Sequence, residues 1–166
     1  MRSLTLLLLL LPLHALAAAD TADEAVSALW RALSNEAGAS ADADALARLF
    51  HEDAVIFGAR YKDGAPVLRR AFRDEFLKHY GKPAAQGFHE CEVSRVMQAY
   101  DRFAVAYSVV ESRADKAAVA ADVVGVNSVQ LYKVDGAWKI VSLYYHVEAP
   151  DLPVPLGGGR SGRCIE

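Results

Sequence analysis

Apolar residues recur along this chain with two different periods, and the change from one to the other divides it. From residue 20 to about residue 80 the spacing is helical. Asp20 or Thr21 caps a first helix running to about Glu36, with Ala25, Val26, Leu29, Trp30 and Leu33 as its buried stripe. The Gly38-Ala39-Ser40 break ends it. Ser40 caps a second, shorter helix that buries Leu46, Leu49 and Phe50, with Asp42 and Asp44 suiting the dipole of its first turn. His51-Glu52-Asp53 leads into a short apolar strand at 54–57, and residues 58–64 form a loop. Pro66 suits the first turn of a third helix reaching Tyr80, with Val67, Leu68, Phe72, Phe76 and Leu77 as its stripe, before Gly81-Lys82-Pro83 stops it.

Thereafter the period is two. Residues 88–98, 103–113, 123–134 and 138–147 read as four long strands, with Tyr100-Asp101 turning the first pair. Residues 114–121 join the second pair, and their alanines allow a helical extension there. Asp135-Gly136 is the strongest short-range hairpin signal. A tight turn at that point sets Val134 against Ala137, Lys133 against Trp138, Leu131 against Ile140, Val129 against Ser142, Asn127 against Tyr144 and Gly125 against His146. One face of the hairpin is then apolar near the turn and polar beyond it, as a pocket floor would be. Helices followed by a run of antiparallel strands define an α+β class with the helices on one face of a sheet.

Composition narrows the function classes. The net charge is −3 and the 18 Lys and Arg residues are scattered, which gives no electrostatic footprint for nucleic acid. Arg2, the apolar run 4–13 and the alanines at 15–19 make residues 1–19 a signal peptide, too short for a spanning helix. The expected product is an exported protein, periplasmic or secreted, that has no membrane association after cleavage. One domain follows over 20–150, then a Gly/Pro-rich tail at 151–166. In an oxidising compartment Cys91 and Cys164 are most simply one disulfide; a buried thiol at Cys91 with a free tail thiol, or an intermolecular bridge, are the alternatives. The five histidines have no metal-ligand spacing, and no metal or other cofactor is expected.

The long first helix, the run Leu49-Phe50-His51-Glu52-Asp53-Ala54-Val55, the third helix and the closing Asp135-Gly136-Ala137-Trp138-Lys139-Ile140-Val141 resemble the nuclear-transport-factor-2-like superfamily. Within it the likeness is to the small bacterial SnoaL-like, ketosteroid-isomerase-like and kinase-association-domain-like members, over residues 20–150. The resemblance implies a cone-shaped barrel, a curved, mainly antiparallel sheet wrapped around three N-terminal helices with a pocket inside. It does not choose a function, because isomerases, dehydratases, cyclases, hydrolases and non-catalytic modules share that shape. Asp53 matches the superfamily's aspartate after the second helix, where its role is structural. The Tyr-plus-two-Asp set of the isomerases and the His-His-Asp-Tyr set of the dehydratases have no counterpart here.

Two functions follow as expectations. The first is an exported small-molecule-binding domain with an apolar cone pocket. The alternative is a cofactor-free acid–base enzyme of isomerase, dehydratase or hydrolase type acting on a small apolar substrate. His146, Glu111 and Tyr144 are the catalytic candidates: an imidazole near neutrality, a carboxylate that shares a face with Tyr107, and a phenol that donates a hydrogen bond. Trp30, Tyr61, Tyr107, Asn127 and Ser142 are the substrate-binding candidates, and Asn127 takes Tyr144 as its partner across the hairpin. The outer sheet face, read as Tyr132, Val141, Leu143, Tyr145 and Val126, is expected to make a homodimer.

Overall fold

The computed structural model describes residues 19–165, so the signal peptide, Ala19 excepted, lies outside the described residues. Helix α1 (Ala22–Leu33) begins with a capping box: the Thr21 side chain accepts from Glu24 N–H, and the Glu24 carboxylate accepts from Thr21 N–H. It ends one turn before Glu36, where extended Ser34 turns its hydroxyl back to the Trp30 carbonyl. Helix α2 (Ala43–Leu49) is capped by Asp42, whose carboxylate accepts from Ala45 N–H, and not by Ser40.

Strand β1 (Phe50–Lys62) is longer than the expected four residues and starts at Phe50, which leaves the helix but remains buried. The expected loop at 58–64 is mostly strand. Asp63 and Gly64 both have positive φ and close a tight hairpin onto β2 (Ala65–Phe72). The first half of the expected third helix is therefore an edge strand, where Pro66 loses no ladder bond inside the sheet. Leu68 and Phe72, expected to be buried, are 61% and 50% exposed. Helix α3 is only Arg73–Tyr80, and Phe76 is its buried anchor. Strands β3 (His89–Tyr100), β4 (Phe103–Arg113), β5 (Val123–Val134) and β6 (Ala137–Val147) follow as the alternation requires. The 114–121 connection forms turns instead of helix, held by Asp122 accepting from Ala114 N–H and by Arg113 donating to the Ala118 carbonyl.

The six strands form one open mixed sheet in the order β2-β1-β6-β5-β4-β3, antiparallel except for the parallel β1–β6 pair. Its concave face carries Ile56, Ala104, Ala106, Val110, Val129, Leu131, Ile140 and Leu143 against Val26, Leu29, Trp30, Leu33 and Leu46 of the first two helices. A buried cluster docks α1 on β3: Arg95 is bound by Glu92 and donates to Asp23 and Ser27.

The β5–β6 hairpin keeps the expected register only as far as Leu131–Ile140. Beyond it Gln130 faces Ser142, Val129 faces Leu143, Ser128 faces Tyr144, Asn127 faces Tyr145 and Val126 faces His146, because Val141 is an extra, unpaired residue. One inserted residue exchanges the two faces of everything that follows. Leu143 and Tyr145 turn toward the helices, whereas Ser142, Tyr144 and His146 turn outward. This corrects both the expected pocket floor and the expected outer face.

A second, smaller core lies on the outer face, where Val154 and Leu156 of the C-terminal segment pack on Cys91, Val93, Val109, Val124 and Val126. Cys91 and Cys164 form a disulfide within the chain, 73 residues apart in sequence. Among the described residues no helix is long and apolar enough to cross a membrane.

Candidate functional site

The concave face, with Trp30 and Leu33 of α1 and Phe76 and Tyr80 of α3 above it, leaves a cavity of about 250 Å³. Its apolar walls include Leu33, Phe76, Phe88, Val110 and Leu143, and its polar groups include Trp30, Tyr80, Glu90, Asn127 and Tyr145, with Arg60, Ser112 and His146 also on its lining. Two other hollows differ in character. One of about 420 Å³ lies between α1, α2 and the β5–β6 turn, where Lys139 is bound to the Arg48 carbonyl and the walls carry mixed charge. The other, of about 530 Å³, lies behind Trp30 and Glu90.

Glu90 is held where three elements meet. Phe88 exchanges backbone hydrogen bonds with Asn35, just past the end of α1, and Glu90 N–H donates to the Ser34 hydroxyl at 3.0 Å. Glu90 pairs with Ser112, two residues on from core Val110 along β4, which places it on the concave side of the sheet. Burial pushes its carboxyl up to about 8, so it is a neutral acid at pH 7. The Tyr80 phenol is raised far above its ordinary value, first by burial and then by Tyr145 and Glu90, and stays protonated. The Trp30 indole N–H is fully enclosed and has no hydrogen-bond partner among the described residues. A buried donor left unpaired costs about 1–3 kcal/mol.

Tyr145 reaches this space because of Gly58. The two residues are neighbours on β6 and β1, and a Cβ at position 58 would overlap the Tyr145 hydroxyl. Glycine at that point lets the phenol lie across the adjacent strand.

Of the residues nominated from sequence, Trp30 and Asn127 line the cavity, 5% and 7% exposed respectively. Asn127 lies opposite Tyr145, not Tyr144. His146 also borders the cavity, but its ring sits with Tyr61 (6.0 Å between centroids) and with Tyr144, whose hydroxyl is 3.5 Å from Nδ1. Tyr144 and Tyr107 are exposed on the outer face, in one row with Ser128, and Ser142 occupies the next row opposite Gln130. Glu111 is buried, with its carboxylate bonded to Arg113 Nη2 at 2.7 Å and to Gly162 N–H at 2.8 Å. Burial raises its pKa, but hydrogen bonds from Ser161, Arg113 and Gly162 outweigh that and hold it below the ordinary carboxylate range. The structure thus brings Tyr144 and His146 together, while Glu111 sits two strands away in its own ion pair. Asp53 is a surface residue beside His51. Among the described residues no three His, Cys, Asp or Glu side chains gather as metal ligands.

Glu90, Tyr80 and Tyr145 were missed from sequence. Period-two spacing does put Glu90 on the same face as Phe88, and that was the available signal for it. No sequence signal marked the insertion at Val141 that turns Tyr145 inward.

Three helices with a curved, open six-stranded sheet define a cone-shaped α+β fold. More narrowly, the chain has the nuclear-transport-factor-2-like fold. It superposes on a cystatin-like-fold protein of unknown function from Nostoc punctiforme with a TM-score of 0.58, at 18% identity over 79% of this chain and 90% of that one. A nuclear-transport-factor-2-like protein from Cytophaga hutchinsonii gives 0.56, at 16% identity over 75% and 93%. A candidate ketosteroid isomerase from Parabacteroides distasonis gives 0.52, at 16% identity over 77% and 88%. At these identities the likeness establishes the fold and leaves the chemistry to the site. No protein-family model and no curated protein matches the sequence.

Proposed function

We propose that this protein binds a small, largely apolar molecule in the cavity bounded by Trp30, Tyr80, Glu90, Asn127 and Tyr145. The observation that carries this reading is the Glu90 carboxyl, raised by burial at a largely apolar cavity that Trp30, Tyr80, Asn127 and Tyr145 also line. A protonated carboxyl is a donor, so the ligand presents an acceptor to it. Volume limits its size: a cavity of about 150 Å³ holds benzene, so about 250 Å³ suits one ring or two fused rings. Native mass spectrometry of protein purified without denaturation reads any retained ligand directly. Titration with 2-naphthol, followed by tryptophan fluorescence, then tests the site. Saturable binding weakened about tenfold or more by Asn127→Leu supports the reading, and binding indifferent to that change refutes it.

The acid–base enzyme is the second reading, and the same carboxyl favours it. A group titrating near 8 exchanges its proton close to working pH, which is what general acid–base chemistry requires. Glu90 is the acid in that case. Turnover abolished by Glu90→Gln, with binding retained, separates the enzyme from the binding module.

Export is part of the proposal. The N-terminal apolar run followed by small residues and the Cys91–Cys164 disulfide both support it. The exposed aromatic residues Tyr107, Tyr132 and Tyr144 on the outer face support a homodimer through that face, which light scattering would read as twice the chain mass.

A further inference from the structure

The mouth of the cone cavity is positively charged on one side. Along β1, Ile56, Gly58 and Arg60 share the concave face, because residues two apart point the same way and Ile56 belongs to the main core. Arg60 lines the cavity and is also exposed, so it stands at the mouth. The Tyr145 ring lies over Gly58, two residues before Arg60, so the phenol hydroxyl and the guanidinium share one wall. Arg69 faces Gly58 across the β1–β2 hairpin and is diagonal to Arg60 on that same face, about 7–8 Å away by sheet geometry. Neither arginine takes part in an ion pair among the described residues. Glu90 is the only acid among the described residues of the lining, and it stands on β3, with β4, β5 and β6 between it and β1. Burial keeps that carboxyl protonated at pH 7, so it gives Arg60 no counter-charge.

Resting on the reading of the cone cavity as a ligand site, we propose that its ligand is a ring carboxylate, whose carboxylate is held at the mouth by Arg60 and the Tyr145 hydroxyl. The ring then lies inward against Phe76, Phe88 and Leu143. A guanidinium has donors and no acceptor, and its planar fork matches the two oxygens of a carboxylate. One guanidinium on the lining balances one negative charge, which selects a carboxylate over a doubly charged phosphate ester. The strands between β1 and β3 keep the two polar ends of the ligand apart, with the anion at Arg60 and a neutral acceptor at Glu90. Arg60 is open to water, and screening there limits the advantage of the charged group to about tenfold.

The test compares 2-naphthoate with 2-naphthol by tryptophan fluorescence at pH 7, where the acid is ionised and the phenol is neutral. The wild-type protein should bind 2-naphthoate about tenfold more tightly than 2-naphthol. Arg60→Met keeps the aliphatic stem and removes the charge, and the exposed position spares the core. It should reduce the preference to about threefold or less, whereas Arg60→Lys, which keeps the charge and loses the fork, should retain part of it. Arg69→Met removes an equal charge from the same face but off the lining, and should keep most of the preference. Equal affinity for the two probes in the wild type would overturn the carboxylate and leave the cavity reading standing. A preference that survives Arg60→Met, or that Arg69→Met removes as fully, would overturn the role given to Arg60. Binding of neither probe would overturn the cavity reading itself.

Discussion

Glu90→Gln should make the protein progressively more stable than the wild type as pH rises from about 4.5 to about 8, and leave it nearly unchanged below that window. An unfolded chain releases the Glu90 proton around 4.5, whereas the native state holds it to about 8. Between those values the native state binds more protons, so unfolding free energy falls as pH rises. The slope is at most about 1.4 kcal/mol per pH unit, and across the window the limit is ~5 kcal/mol. Water reaching the carboxyl through the hollow behind it would reduce the realised loss to ~2–3 kcal/mol. Glutamine has the same shape, keeps a donor and carries no titrating proton. Urea unfolding of both proteins at pH 5, 6, 7, 8 and 9, with the disulfide intact, isolates this group, since all others cancel in the difference. The variant should match the wild type within about 1 kcal/mol at pH 5, gain steadily to about pH 8 and level off by pH 9. A difference that stays flat with pH would refute the assignment of a buried neutral acid.

Three further outcomes follow from the packing. Cys91→Ser with Cys164→Ser frees a loop of 73 residues and should cost about 4 kcal/mol in the chain-entropy account, read as a lower urea midpoint. Glu111→Ala strands a buried Arg113 cation and should cost about 3–5 kcal/mol, measured by calorimetry; a loss under about 1 kcal/mol would show that the pair is solvated. Gly58→Ala should displace the Tyr145 ring, weakening 2-naphthol binding about tenfold while costing at most about 2 kcal/mol of stability. Unchanged binding in that variant would remove Tyr145 from the site.

Much of this fold is legible in the residues because local rules and burial agree there. Strands β4 and β5 fall where alternation places them, Asp135-Gly136 turns the hairpin, and the two cysteines pair. Pro66 misleads because its fixed φ serves a first helical turn and an edge strand equally well. The apolar spacing of Val67, Leu68 and Phe72 then imitates a helix, although Asp63-Gly64 carries the same two-residue turn signal as Asp135-Gly136. The site is less legible for a different reason. A bulge forms where the curved sheet must bend, and that requirement arises from strand packing, not from the preference of Val141 itself. Trp30 and Asn127 were found on amphipathic position alone, whereas Glu90 needed its tertiary neighbours before a surface-type residue became an interior acid.

The bulge at Val141 has an evolutionary reach. Pairing Val141 directly with Gln130, with no bulge, would restore the regular register of the β5–β6 hairpin and bring Ser142, Tyr144 and His146 to the helix side in place of Leu143 and Tyr145. The same eleven-residue strand thus encodes two chemically distinct linings, one phenolic and aliphatic, the other imidazole- and hydroxyl-bearing. A slip of one residue in the pairing would exchange them as a set. A lineage built on this scaffold can therefore change ligand class by smoothing out the bulge, without passing through the slow replacement of one lining residue after another.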